Sequence, residues 1–156
     1  MRKLILAGLA LSLMAGSALG QVSNDVVKIG VLSDFQSNYA EVGGKGAVTA
    51  VQMAIEDFGK TVLGKPIELV IGDHANKPDN GSAIARRWFD ELGVDMIIDL
   101  PNSPVALAVQ NIGKEKGRIV IPSAGATEAL TGAACSPTGI NWNYDSYAVG
   151  KALAMT

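Results

Sequence analysis

Small hydroxyl, amide and glycine residues gather at two places in this 156-residue chain where they could hold a small anion. Pro101-Asn102-Ser103-Pro104 puts an amide and a hydroxyl at the start of a helical pattern. Unpaired backbone N–H groups and the helix macrodipole favour a carboxylate or phosphate there. Ser is also a preferred helix cap, so capping alone would account for Ser103. Ser123-Ala124-Gly125-Ala126-Thr127 has side chains so small that a ligand can approach the backbone, with the Thr127 hydroxyl as a donor. An ordinary surface loop is the competing reading. Asp34, Phe35, Tyr39 and Val42 offer an apolar wall beside one carboxylate, although Phe35 fits a core equally well. Asp145, close to Trp142, can take an ammonium group or cap a helix beginning near Tyr147.

Signatures of chemistry fail on context. Gly43-Gly44-Lys45-Gly46 lies well beyond the first apolar strand, whereas a dinucleotide site needs its glycines in the tight turn directly after it. Gly59-Lys60-Thr61 has Ala54 where a phosphate loop needs its first Gly, and it closes a helix instead of opening one. His74 is the single histidine, which excludes a histidine-based metal cluster, and its neighbour Asp73 is better suited to loop hydrogen bonding than to acid–base work. There is no Gly-x-Ser-x-Gly elbow. Asn80-Gly81-Ser82 matches a glycosylation acceptor only as a short pattern at a helix start. No catalytic residue, metal or cofactor is expected.

These loops are placed by a regular alternation of strands and helices. Val27 to Ser33 reads as the first strand, and Ala47, Val48, Val51, Ala54, Ile55 and Phe58 recur at helical spacing before Gly59. Ile67 to Asp73 is the second strand; Ile84, Ala85, Trp88, Phe89 and Leu92 form the buried stripe of the second helix, capped by Asp79 or Asn80 and closed by Gly93. Asp95 to Leu100 is short and apolar, as in a strand buried on both faces. Ser103 then caps a helix with Pro104 at its first position and Val105, Ala108, Val109 and Ile112 inward, ending at Gly117. Arg118 to Ser123 is the fourth strand, and Ile140 to Tyr144 the fifth. Such a run demands right-handed crossovers and so an α/β, doubly wound parallel sheet, with a ligand crevice outside the carboxyl ends of the strands.

The amino terminus is different in kind. Arg2 and Lys3 precede the apolar run Leu4 to Gly16, and Ala18-Leu19-Gly20 supplies small residues at a cleavage site, so residues 1–20 read as a secretory signal and Gln21 as the mature start. The run is well short of the roughly 20 residues that span a bilayer. Removing residues 1–20 leaves 11 basic against 15 acidic side chains, a balance that lacks the basic field nucleic-acid or anionic-membrane binding needs. Cys135 is the single cysteine and cannot form an internal disulfide. A periplasmic, monomeric protein of one domain is expected.

VKIGVLSDFQSNYAEVGGKG, GKPIELVIGDHANKPDNGSAIARRW, PNSPVALAVQ and SAGATEALTG, in this order behind a signal peptide, resemble the Leu/Ile/Val-type periplasmic binding proteins of ABC importers. The resemblance covers essentially the whole mature chain. It implies a type I periplasmic-binding fold, two doubly wound lobes with a small ligand closed between them, and an ABC permease in the inner membrane as partner. By motif, Ser103 with Asn102 beside it would bind a ligand carboxylate. Gly125, Ala126 and Thr127 fall where the family has Ala-Ala-Thr and would bond carboxylate and amine. The family's aromatic wall falls on Val42, a departure, with Tyr39 nearby as a substitute. Asp145 matches an acidic position of the family, while the paired cysteines of some members are absent.

Two such lobes need on the order of 300 residues at typical domain sizes. Residues 21–156 therefore read as the amino-terminal lobe, truncated before the second. The expected function is capture of a small carboxylate, a branched-chain amino acid ahead of an aromatic or other organic acid. A ligand-sensing receptor module of the same fold is the alternative, and a secreted enzyme a more distant one.

Overall fold

The structure is a computed structural model that describes residues 24–155; the expected signal peptide and the mature start at Gln21 lie outside them. The chain order is β1 (Val27–Ser33), α1 (Gly44–Phe58), β2 (Thr61–Val62), β3 (Lys65–Asp73), α2 (Pro78–Asp90), β4 (Met96–Asp99), α3 (Ser103–Lys116), β5 (Ile119–Pro122), a 3₁₀ turn (Glu128–Leu130) and α4 (Ser146–Ala154). The sheet runs β2-β3-β1-β4-β5, with β3, β1, β4 and β5 parallel. The order reverses beside β1, where the α1 connection leads to β3 on one side and the α2 connection leads to β4 on the other. This is the doubly wound α/β arrangement expected, and its crevice lies at the carboxyl ends of β1 and β4.

One strand was not legible. β2 pairs antiparallel with the start of β3, Thr61 opposite Pro66 and Val62 opposite Lys65. The turn residues Leu63 and Gly64 have φ of 50° and 75°, as a tight two-residue hairpin requires. Conversely, the fifth strand expected at Ile140 to Tyr144 is not formed. Thr138 to Trp142 does run along β5, through Val120 N to Thr138 O, Ile140 N to Val120 O and Trp142 N to Pro122 O at 2.9–3.0 Å. Only an isolated parallel bridge, Val120 to Gly139, results. Ile140, Trp142 and Tyr144 stay exposed, so no packed layer holds this segment in regular pleat.

The two sheet faces are closed unequally. On one, α2 and α3 pack a buried cluster around Leu32, Trp88, Phe89, Ile97, Val109 and Val120. Trp88, read as core, lies flat on two strand glycines, Gly30 and Gly72, where any Cβ would collide with its ring. On the other face α1 docks loosely. Its expected stripe does turn inward, but Val51, Ile55 and Phe58 line an apolar groove of about 360 Å³ with Ile29, Ile67 and Ile98 instead of sealing it. Phe58 accordingly remains exposed.

Helix ends differ from expectation in ways that bear on the site. α2 starts at Pro78 with Lys77 before it and no side-chain cap, so neither Asp79 nor Asn80 caps it; Asp79 sits in the first turn, where the macrodipole favours an acid. It ends at Asp90, and Gly93 then turns the chain at φ 63°. α1 and α3 stop at Gly59 and Gly117, both left-handed as expected. α4 buries none of its residues.

Candidate ligand-binding site

Each central strand of the sheet ends in a polar residue, and these side chains organise the loops. After β1, Asp34 is fully buried and gathers its own loop: Oδ1 accepts from the N–H groups of Gln36 and Ser37, while Oδ2 accepts from Tyr39 N–H and the Ser37 hydroxyl. Burial pushes this carboxyl up, but the bonds from Ser37, Tyr39 and Gln36 outweigh it and hold it below the ordinary carboxylate range. Tyr39 and Val42 hang from this cradle, Tyr39 O accepting from Val42 and Gly43 N–H at 3.0 Å. Tyr39 is half-buried and Val42 is exposed.

After β3, the Asp73 carboxylate takes Ala75 N–H at 2.7 Å, Phe35 N–H at 3.4 Å and the Gln36 side-chain amide at 2.9 Å. Loop hydrogen bonding is thus its role, as the sequence suggested. His74 is fully buried; its Nδ1 accepts from Asn76 N–H at 3.0 Å, and its Nε2 has no partner among the described residues. Burial lowers its pKa against the opposing pull of Asp34 and Asp73. Ala75 and Asn76 both have left-handed φ, 48° and 56°, which carries the Asn76 side chain across to Asn102.

After β4, the cap of α3 is Asn102, not Ser103. Asn102 Oδ1 accepts from Val105 N–H at 3.0 Å, and its side-chain nitrogen donates to Asn76 Oδ1 at 2.5 Å. Asn102 wins the position because the chain enters it extended, at φ −94° and ψ 121°, which makes Ser103 the first helical residue and Pro104 the second. Ser103 is half-buried, and among the described residues its hydroxyl makes no hydrogen bond.

After β5, Gly125 is buried, and a Cβ there would stand 3.2 Å from Ala106 Cβ and 3.3 Å from Leu100 O, so its bareness serves packing between the two loops. Ala126 O accepts from Ser146 N–H at 2.7 Å. Thr127 caps the 3₁₀ turn, its Oγ1 accepting from Ala129 N–H at 3.3 Å, which leaves the hydroxyl proton available. Asp145 caps α4, accepting from Ala148 N–H at 2.6 Å with one oxygen.

The expected contacts therefore sit in the loops that follow β1, β4 and β5 and at the start of α4, stitched together by Gly125 against Leu100 and by Ser146 to Ala126. Two concavities, of about 470 and 360 Å³, lie elsewhere, between α1 and the sheet, while a third of about 340 Å³ lies at the first loop, against Phe35, Glu41, Gly43 and Lys45. Sequence reading missed the residues beneath the loops: Ser33, Asn76 and Asp99. A polar residue closing an apolar strand was the available signal.

A family model described as periplasmic binding protein matches residues 26–155. No curated protein matches the chain. Among solved structures, it is similar to a periplasmic binding protein from Burkholderia mallei at 38% identity and a TM-score of 0.79, covering 81% of this chain and 34% of that one. It is also similar to a branched chain amino acid ABC transporter periplasmic ligand-binding protein from Burkholderia xenovorans LB400, at 42% identity and a TM-score of 0.76, covering 83% and 36%. A solute binding protein of an ABC transporter from Rhodopseudomonas palustris BisB5, solved with 3,4-dihydroxy benzoic acid, shares 28% identity at a TM-score of 0.68, covering 74% and 31%. The chain thus spans about a third of the length of these relatives.

Proposed function

The chain belongs to the periplasmic binding protein family, and from that premise we propose that residues 21–156 act as the amino-terminal lobe of an extracytoplasmic solute-binding component of an ABC importer. Its action is capture, not turnover. The ligand is a small carboxylate, held at the carboxyl ends of β1, β4 and β5, and the protein delivers it as a monomer in the periplasm to an inner-membrane permease.

The observation that carries this reading is the division of labour between Asn102 and Ser103. With Asn102 taking the N–H groups of Val105 and Ala106, and Pro104 having none, the Ser103 hydroxyl and the Ser103 N–H are left for an anion. The Thr127 hydroxyl proton has the same availability, and Asp145 keeps one oxygen for an ammonium group. Tyr39 and Val42 supply the apolar side. A branched-chain amino acid comes first as ligand, in line with the 42% identical relative, and an aromatic acid second, in line with the 28% identical one.

The test is native mass spectrometry of the protein isolated from the periplasm, followed by calorimetric titration with L-leucine and with benzoate. Retention of a small carboxylic acid, or saturable binding of either probe weakened by Ser103→Ala, supports the reading. A ligand-free protein that binds neither probe overturns it.

A further inference from the structure

We propose that Asp99 is the positioning residue of this site: it ties the end of β4 to Ser123 after β5 and lies beneath Gly43 at the end of the first loop, so that the loops carrying Gly43, Asn102 and Gly125 face one crevice. The proposal rests on the reading of that crevice as the binding site, and goes beyond it by assigning the part that shapes it.

Asp99 ends β4 and is 3% exposed. It grips β5 twice: its carbonyl accepts from Ser123 N–H at 2.9 Å, and its Oδ1 accepts from the Ser123 hydroxyl at 3.3 Å. Its other oxygen faces the β1 side. A Cβ on Gly43 would stand 2.5 Å from Asp99 Oδ2 and 2.7 Å from Ser33 Oγ, so the end of the first loop lies directly over this pair. Ser33 Oγ in turn accepts from Gly44 N–H at 2.6 Å, which takes the place of the side-chain cap that α1 lacks.

The backbone at this point is unusual. Asp99 and Leu100 have φ of 92° and 57°, left-handed values that side-chain-bearing residues seldom adopt and that persist only where surrounding contacts impose them. The contacts are the Ser123 pair and Leu100 N–H to Leu32 O at 3.1 Å. This reversal throws the chain from β4 into Pro101-Asn102, and it brings Leu100 O against Gly125. A residue held in strain, with a carboxyl buried between two neighbouring strand ends, is fitted to fix geometry and not to contact solvent.

Among the described residues Asp99 Oδ2 is buried without a hydrogen-bond partner, which disfavours a charge there. Burial pushes the carboxyl above its usual range, and the Ser33 and Ser123 hydroxyls oppose this, Ser33 without reaching hydrogen-bond geometry to Oδ2. The groups facing it are Ser33 on β1, Gly43 in the first loop and Ser123 after β5. An asparagine keeps the oxygen that accepts from the Ser123 hydroxyl and brings no charge into this buried position.

The test compares the full chain with Asp99→Asn and Asp99→Ala by amide hydrogen exchange, by nuclear magnetic resonance across pH, and by titration with L-leucine and benzoate. Asp99→Ala is expected to speed exchange at Gly44, Leu100 and Ser123 by about tenfold or more, with amides of α2 unchanged, while Asp99→Asn stays near wild type. Affinity should follow the same order, lost in the alanine variant and rescued in the asparagine one. In wild type the Gly44 and Ser123 amide shifts should titrate together with one midpoint above the ordinary carboxylate range, and Asp99→Asn should abolish that titration. This comparison decides even if Asp99→Ala fails to fold. The proposal is overturned if the three amides are indifferent to Asp99→Ala, if Asp99→Asn is as damaging as Asp99→Ala, or if the two amides titrate separately or still titrate in Asp99→Asn. Should neither probe bind wild type, the crevice reading fails, and the exchange pattern alone then decides for or against the clamp at Asp99.

Discussion

The side-chain nitrogen of Asn102 donates to the side-chain oxygen of Asn76 at 2.5 Å, so the cap of α3 is held from the loop after β3, a different strand's connection. The amide that satisfies the helix end is thereby oriented by a residue far away in sequence, and Ser103 is relieved of the capping role.

A separation of stability from binding follows. Asn102→Ala removes the acceptor of Val105 N–H and should cost about 1 kcal/mol of stability, a typical cap loss. Ser103→Ala removes a hydroxyl with no partner among the described residues and should leave the stability within about 0.5 kcal/mol of wild type while weakening carboxylate binding. Equal destabilisation by both in urea titrations would return the capping role to Ser103.

The same loop gives a pH dependence through His74. Its folded-state pKa lies below the ordinary histidine value of 6.5, because burial disfavours the charged ring more than Asp34 and Asp73 favour it. Between 6.5 and that lower value the unfolded chain binds more protons, so stability falls as pH drops through this window and is level above it. Protonation would also take Nδ1 from Asn76 N–H and loosen the bond to Asn102. Thermal melts between pH 7 and 5 should show the fall, and His74→Asn, which keeps an acceptor, should flatten it.

The sequence made the architecture readable because the parallel strands are apolar runs punctuated by glycine and proline, and Gly59 and Gly117 stop their helices with the left-handed geometry that glycine supplies. It misled at Ser103, since both Asn102 and Ser103 are good caps and only the backbone entering Asn102 decides between them. Asp99 was hidden for a different reason. Its clamp joins Asp99 to Ser123 and lies beneath Gly43, a juxtaposition set by strand order and not by spacing along the chain. The fifth strand failed because β propensity needs a surface to pack on, and Trp142 has none among the described residues.

Trp88 offers a test of the core. A Cβ at Gly72 would stand 2.7 Å from Trp88 Cζ2 and 3.3 Å from Ile84 Cγ2, with no room for either to retreat in a packed layer. Gly72→Ala should therefore destabilise by about 1–3 kcal/mol through overpacking. Gly46→Ala, where a Cβ meets nothing within 4 Å, is the control and should be neutral or slightly stabilising. Chemical denaturation of the two variants side by side would check this, and equal behaviour would mean that Trp88 does not stand on the sheet as described.

Asp34 should prove the most consequential side chain of the first loop. Its two oxygens take three backbone N–H groups and one hydroxyl within residues 36–39, so the loop's shape is written largely into one carboxylate. Asp34→Asn keeps one acceptor oxygen and loses the other, and its cost should reach about 1.5–3 kcal/mol, the range for hydrogen bonds to a charged group. The pH dependence runs in the acid range. The folded-state pKa is below the ordinary aspartate value of 3.8, so the contribution is complete above that value and is lost as pH falls through the folded pKa. This window opens at 3.8 and that of His74 at 6.5, and an acid titration of wild type beside His74→Asn distinguishes the two contributions. Because Tyr39 and Val42 are carried on this loop, Asp34→Asn should also weaken binding of a ligand with an apolar side chain more than binding of acetate. Equal losses for L-leucine and acetate in calorimetry would remove Tyr39 and Val42 from the proposed side-chain pocket without bearing on the carboxylate contacts proposed at Ser103 and Thr127.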